Sequence, residues 1–265
     1  MPKLPKEYDV TGKKVLITGA GRGIGKGIAW VLADAGAELA INARTTQYVD
    51  PLVAEIKASG GKALSVIADA TDARDAERMM RETIQRLGHI DVLVNNVGDA
   101  VIKPLVARPG KPSSEAITDE EIRYQIDINL MHAVQCSRAV GTHFMERRAG
   151  KVINISSVWA SKAPRFTAAV NASAKAGLNM FTQALALEWA PFHITVNCIA
   201  PGLFPDVVTV GKDGMQEFVD RAEREVPLRR HGELREVGLL ALYLVSDASR
   251  YMTGQTLHLD GGQSL

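Results

Sequence analysis

An apolar run, Val15-Leu16-Ile17, breaks into Thr18-Gly19-Ala20-Gly21-Arg22-Gly23-Ile24-Gly25 and leaves it in an amphipathic stretch at 25–35. Glycine at every second position permits a turn too tight for other residues and lets backbone come close to a ligand. A strand entering and a helix leaving such a turn fixes the first unit of the fold. The same alternation then repeats. β-rich runs at 38–43, 63–68, 90–95, 151–156 and 194–200 are separated by helical periodicity at 53–59, 73–87, 119–148 and 171–190, and a last strand follows at 255–259. Strands alternating with helices predict a parallel sheet of about seven strands with helices on both faces, an α/β three-layer αβα sandwich. No repeat or linker interrupts it, so residues 1–265 are expected to form one domain.

Two stretches depart from the pattern. In 101–114, Pro104, Pro109, Gly110 and Pro112 predict an irregular surface insertion. Residues 201–214 carry Pro205 and three glycines, which suits the start of a substrate lid over about 203–225.

Charge excludes several functions. The 31 basic and 30 acidic residues leave a net of +1, no field to attract nucleic acid or an anionic membrane. The apolar runs are too short to cross a bilayer. Cys136 and Cys198 make no disulfide framework and no signal-peptide pattern is present, so a small-molecule protein of the cytoplasm is expected. The six histidines show no metal-ligand spacing, and no metal is expected.

The glycine-rich turn in its strand-to-helix setting predicts dinucleotide binding, with the pyrophosphate at the helix N-terminus. The end of the second strand tests which dinucleotide. An acid there would hold both ribose hydroxyls; the chain has Asn42-Ala43-Arg44-Thr45-Thr46 instead. Arg44, with Arg22 in the turn, suits a 2'-phosphate, which favours NADP(H) over NAD(H).

An ordered series of short motifs extends this reading: Thr18 to Gly25, Asp69 after the third strand, Asn95-Asn96-Val97-Gly98, Asn129, Ser157, Lys175, Asn197, Pro201-Gly202 and Asp260-Gly261-Gly262. Over residues 13–262 the chain resembles the short-chain dehydrogenase/reductase family. The resemblance implies a single doubly wound Rossmann domain. It implies cofactor contacts from Gly19, Arg22, Gly23, Ile24, Gly25, Arg44, Thr45, Asp69, Ala70, Asn95 to Gly98, Lys175, Pro201, Gly202 and Leu203. Asn197 is read as satisfying buried backbone groups. Helices around 119–148 and 171–190 would form the faces of a homodimer or tetramer.

The family's catalytic set is asparagine, serine, tyrosine and lysine. Asn129, Ser157 and Lys175 match it, and Asn171 stands where the resemblance implies the tyrosine. By resemblance Ser157 would bond the substrate oxygen, Lys175 would hold the nicotinamide ribose, and Asn129 would anchor a water leading from Lys175 to solvent. An amide has no proton to give in the working pH range, although it can donate a hydrogen bond and, with Ser157, stabilise a developing oxyanion. Loss of a positioned acid costs about 10² to 10⁴ in rate. Tyr124 is the one tyrosine near in sequence, but its spacing of five from Asn129 does not keep an α-helical face.

There is a partial likeness to the 2,4-dienoyl-CoA reductases, in Ser173 to Gly177 and Ala186 to Trp189. Those proteins also lack this tyrosine and use another just after the serine strand. Here that position is Trp159, whose indole donates a hydrogen bond but is no useful acid. Trp159, Arg165 and Phe166 are expected around the pocket, and Asp206 is read as a loop carboxylate or a substrate contact. The expectation is an NADP(H)-dependent oxidoreductase acting on a ketone or alcohol, an imine or an activated C=C, with protonation from water, the substrate or the Asn129 and Lys175 relay. The alternatives are a cofactor-binding protein with little turnover and a Tyr-to-Asn variant of an ordinary carbonyl reductase.

Overall fold

The computed structural model describes residues 5–164 and 167–265. Seven parallel strands, β1 (Lys14–Ile17), β2 (Glu38–Ala43), β3 (Lys62–Ile67), β4 (Val92–Asn95), β5 (Gly150–Ile155), β6 (Ile194–Pro201) and β7 (Thr256–Leu259), lie in the order β3-β2-β1-β4-β5-β6-β7. Period two divides their side chains between two cores. Val15, Ile17, Leu39 and Ile41 face helices α1 (Gly23–Asp34), α2 (Thr46–Ala58) and α8 (Leu234–Val245). Leu16, Ala40, Val66 and Leu93 face α3 (Ala73–Leu87), α5 (His132–Arg147) and α6 (Ala169–Trp189). Burial on both faces explains why these strands read as unbroken apolar runs rather than as alternating ones.

The chain builds β1, β2 and β3 outward on one side, then returns to place β4 against β1. Ligands of open α/β sheets bind outside the carboxyl ends of the strands at such a reversal. The turn after β1 and the segment after β4 meet there: Asn96 Nδ2 donates to the carbonyls of Thr18 and Gly19 (both 3.0 Å).

Three elements differ from the sequence reading. α2 begins at Thr46 rather than 53, running through Pro51 at the loss of one backbone hydrogen bond. The predicted helix at 119–148 is α4 (Asp119–Ile126), a π-helical turn at Asp127–Met131, then α5. α8 falls where the sequence reading assigned nothing; its run Leu239-Leu240-Ala241-Leu242 obscures helical periodicity, and the apolar face becomes evident only against α1. Segment 101–112 carries no helix or strand. The lid region contains α7 (Val207–Glu225), kinked at Gly211, where φ is 68°.

Candidate active site

A cleft of about 660 Å³ opens at the carboxyl ends of β1, β2, β4, β5 and β6, within the size range of small-molecule sites. One end is formed by the turn after β1 (Gly19, Arg22, Gly23, Ile24), the ends of β2 and β3 (Arg44, Thr45, Asp69, Ala70) and the segment Asn96, Val97, Gly98. The other end is formed by Asn129, Ser157, Trp159, Asn171 and Lys175, with Pro201 and Gly202 at the end of β6 and Asp206 before α7.

The first end is built for anions. α1 and α2 both start at this cleft, with Arg22 and Thr45 in the N-cap positions, and neither start has a side-chain cap or an acid in its first turn. The N–H groups of a helix's first turn have no intrahelical partners and carry the positive end of the dipole. By contrast Asp72 caps α3 and Thr118 closes a capping box on α4. Gly25 lies beneath the turn rather than on the cleft wall. A Cβ there would come 2.6 Å from Ala20 Cα and from Asn96 Nδ2, so glycine is what lets the helix start approach so closely. Two residues that sequence reasoning missed brace the turn. Asn42 Oδ1 accepts from Gly19 N (3.3 Å) while its amide donates to the carbonyls of Val66 and Ala68. Thr18 Oγ1 accepts from Asn96 N (3.0 Å). A polar residue at the end of an apolar strand is the signal that would have found both.

Arg22 Nη1 pairs with Asp206 Oδ2 at 2.6 Å, joining the turn to the start of α7, and Asp206 also caps α7 by accepting from Val208 N. Arg44 is exposed and makes no ion pair among the described residues. Asp69 accepts from the backbone and hydroxyl of Thr71, which holds its carboxylate at the cleft edge. A nicotinamide dinucleotide fits this end. The two uncapped helix starts and the exposed Arg44 give this end a positive character suited to phosphates.

At the other end, Lys175 is buried and donates to the Ile155 carbonyl at 2.8 Å; burial pushes its pKa down to about 8. Gly98 makes room for it, since a Cβ there would stand 3.0 Å from Lys175 Nζ. Ser157 Oγ accepts from Trp159 N (3.2 Å), leaving its hydroxyl proton for another partner.

The two asparagines are held by one peptide. Asn129 Nδ2 donates to Asp99 O (2.8 Å) and Gln125 O (3.0 Å), and Asn129 Oδ1 accepts from Asp99 N (3.3 Å). Asn171 Nδ2 donates to Asp99 O (2.9 Å) and to Gln125 Oε1 (3.2 Å). Both amide protons of Asn171 are therefore committed to the protein. Against the expectation that Asn171 donates to a developing oxyanion, both of its amide protons are directed at Asp99 and Gln125. Gln125, fully buried, is a further residue the sequence reading missed.

Tyr124 lines this same cleft, contrary to the helical-spacing argument. The π-helical turn between it and α5 adds a residue to the helical repeat and shifts the face on which Asn129 falls. The phenol donates to Asp99 Oδ2 at 2.8 Å, and burial together with this carboxylate pushes its pKa up to about 12. His132, one residue past the π-helical turn, is buried and pushed down to about 3, mainly by burial and then by Lys175.

Three expectations move or fall outside. Asn95 is fully buried, its amide donating to Asn154 Oδ1 (2.9 Å) and Ser137 Oγ (3.3 Å); its side chain braces the sheet and does not line the cleft. Leu203 lines a smaller cavity with Phe204, Val226 and Leu259 and not the cleft, although Phe204 and Asp206 after it line the cleft. Arg165 and Phe166 lie outside the described residues. Asn197 ties β6 to the loop before β7, donating to Met252 O (2.8 Å) and accepting from Gln255 N (3.1 Å).

Comparison with known proteins agrees with this geometry. A family model described as enoyl-(acyl carrier protein) reductase matches residues 19–264. A 3-oxoacyl-[acyl-carrier-protein] reductase of Synechocystis sp. is 35% identical over 257 residues, covering 96% of this chain and 97% of its own length. One of Staphylococcus aureus (strain Mu50) is 33% identical, with 94% and 97% covered. The solved structure of a gluconate 5-dehydrogenase from Burkholderia cenocepacia J2315, in complex with NADP and tartrate, superposes with a TM-score of 0.87 at 32% identity, covering 98% of both chains.

Proposed function

The chain belongs to the short-chain dehydrogenase/reductase family of nicotinamide-dependent oxidoreductases, and from that premise we propose that it works with NADP(H) on a small organic substrate without a tyrosine acid. The observation that carries the NADP(H) reading is the exposed Arg44 beside the uncapped start of α2, at the strand end where an acid would repel a 2'-phosphate. The gluconate 5-dehydrogenase crystallised with NADP supports it.

When bound, the nicotinamide supplies or accepts the hydride. Lys175, fixed on the Ile155 carbonyl, would hold the nicotinamide ribose, and Ser157 would offer its hydroxyl to the reacting group. Asn171 has no titratable proton, and Tyr124, directed at Asp99 and raised to about 12, is a weak acid at neutral pH. The proton comes instead from water, from the substrate, or from the chain of groups running from Lys175 past Asn129. Such a site suits an imine, an activated C=C or a specialised ketone better than a simple ketone. The test is NADPH consumption over a panel of ketones, imines and enones, paired with NADPH and NADH titrations. Turnover of imine or enone with tighter NADPH binding is expected. Tight cofactor binding with no consumption anywhere on the panel would overturn the reading.

That last outcome is the second reading, a cofactor-binding protein with little turnover, and the commitment of both Asn171 protons favours it. We also propose a cytoplasmic homodimer or tetramer. Exposed Met180 and Leu187 on α6 are apolar surface that a second copy would cover, and light scattering gives the state.

A further inference from the structure

Asn171 differs from a tyrosine in more than acidity. Its orientation is set by groups that leave no choice. The Asp99 carbonyl is backbone and only accepts, so the side of the Asn171 amide that stands 2.9 Å from it must be nitrogen. The second N–H meets Gln125 Oε1 at 3.2 Å. With both protons used, the atom left for the cleft is Asn171 Oδ1, which accepts no hydrogen bond from the described residues. An amide oxygen accepts hydrogen bonds and does not donate.

We propose that Asn171 presents a hydrogen-bond acceptor to the substrate, so that this site selects a substrate carrying a neutral O–H or N–H next to its reacting carbon and discriminates against a bare carbonyl oxygen at that position. A carbonyl oxygen placed there would face another oxygen. A hydroxyl or N–H would complete the network that begins at Asp99. Ser157 does not undo the selection, since a hydroxyl serves donor and acceptor substrates alike. The amide oxygen holds the substrate's proton without removing it, so the donor is a recognition handle and keeps its proton. Neutral donors are favoured over cations because the buried Lys175 amine shares this end of the cleft. The inference deepens the oxidoreductase reading and rests on it for the identity of the reacting end.

The test is equilibrium binding, without cofactor so that neither probe reacts, of the matched pair acetoin, which carries a hydroxyl beside its carbonyl carbon, and diacetyl, which carries a bare carbonyl there, followed by calorimetry. One hydrogen bond kept or left unmade predicts about tenfold tighter binding of acetoin. Asn171→Leu removes the acceptor and is expected to bring the two probes level. Asn171→Tyr places a phenol donor at this position and is expected to improve diacetyl binding, a change that mere loss of folding would not produce. Circular dichroism melts check both variants. Equal binding of the two probes by the natural protein, or a preference for diacetyl, would overturn the proposal. If the acetoin preference stands while NADPH is never consumed, the oxidoreductase reading fails and the assignment of Asn171 survives. If NADPH is consumed and the preference is absent, the reverse holds.

Discussion

At the end of the cleft that we assign to the cofactor, the groups available to a ligand are mostly backbone N–H at the starts of α1 and α2. At the other end they are the side chains of Ser157, Lys175, Asn171 and Tyr124. Backbone groups are oriented by the local turn, and four glycines alternating over 19–25 are enough to specify that turn. Side-chain amides are oriented by whatever tertiary structure brings against them. Asn171 is turned by Asp99 and Gln125, which lie 72 and 46 positions away in the chain. One end can therefore be read from a short string of residues and the other cannot.

The largest test of this contrast is Asn171→Tyr. If the second end lacks only a positioned acid, a phenol beside Lys175 should raise NADPH-dependent ketone reduction by about 10² to 10⁴ in kcat. An unchanged rate would mean that the wall formed by Asp99, Gln125 and Asn129 has departed from the family arrangement in more than one residue.

Gly25→Ala tests the opposite end. The added methyl meets backbone at 2.6 Å, and the nearby Asn96 amide already holds the Thr18 and Gly19 carbonyls, so it has little room to yield. Overpacking of this kind costs about 1–3 kcal/mol. It should appear as a lower Tm and weaker NADP(H) binding together. Unimpaired binding would show that the turn is looser than its contacts indicate.

Arg44→Ala has a narrower effect. Losing a charge-assisted contact to the 2'-phosphate should weaken NADPH binding about tenfold and leave NADH binding nearly as it was. Equal losses for both would move Arg44 from phosphate recognition to general electrostatics.

How much was legible follows the same division. The seven strands, the turn, Arg44 and the match of Asn129, Ser157 and Lys175 could all be read in order along the chain, because each has a local signature. The π-helical turn could not. A change from i+4 to i+5 bonding at Asp127–Met131 leaves no mark in composition, yet it moves Tyr124 onto the cleft wall that a regular helix would have denied it. Asn95 reads like its neighbour Asn96, but in a strand successive side chains point to opposite faces, and only Asn96 reaches the turn. Gln125 carries no motif at all.

The smallest expected effect concerns Lys175, which stands where the two ends meet. Its pKa is lowered to about 8 by burial, against an ordinary 10.5. A buried amine of this kind destabilises the fold while it is charged. Below about pH 8 both folded and unfolded chains are protonated there and the penalty is fully present. Between about 8 and 10.5 the unfolded chain binds more protons, so this group's contribution makes stability rise with pH. Lys151, half-buried against the Ser246 carbonyl and the Ser249 hydroxyl and likewise lowered to about 8, acts in the same window. Lys175→Met and Lys151→Met should each flatten part of the rise in denaturant-measured stability from pH 8 to 10, and only Lys175→Met should also weaken NADP(H) binding. If both variants bind the cofactor like the natural protein, Lys175 belongs to the scaffold and the boundary between the two ends has to be drawn at Ser157.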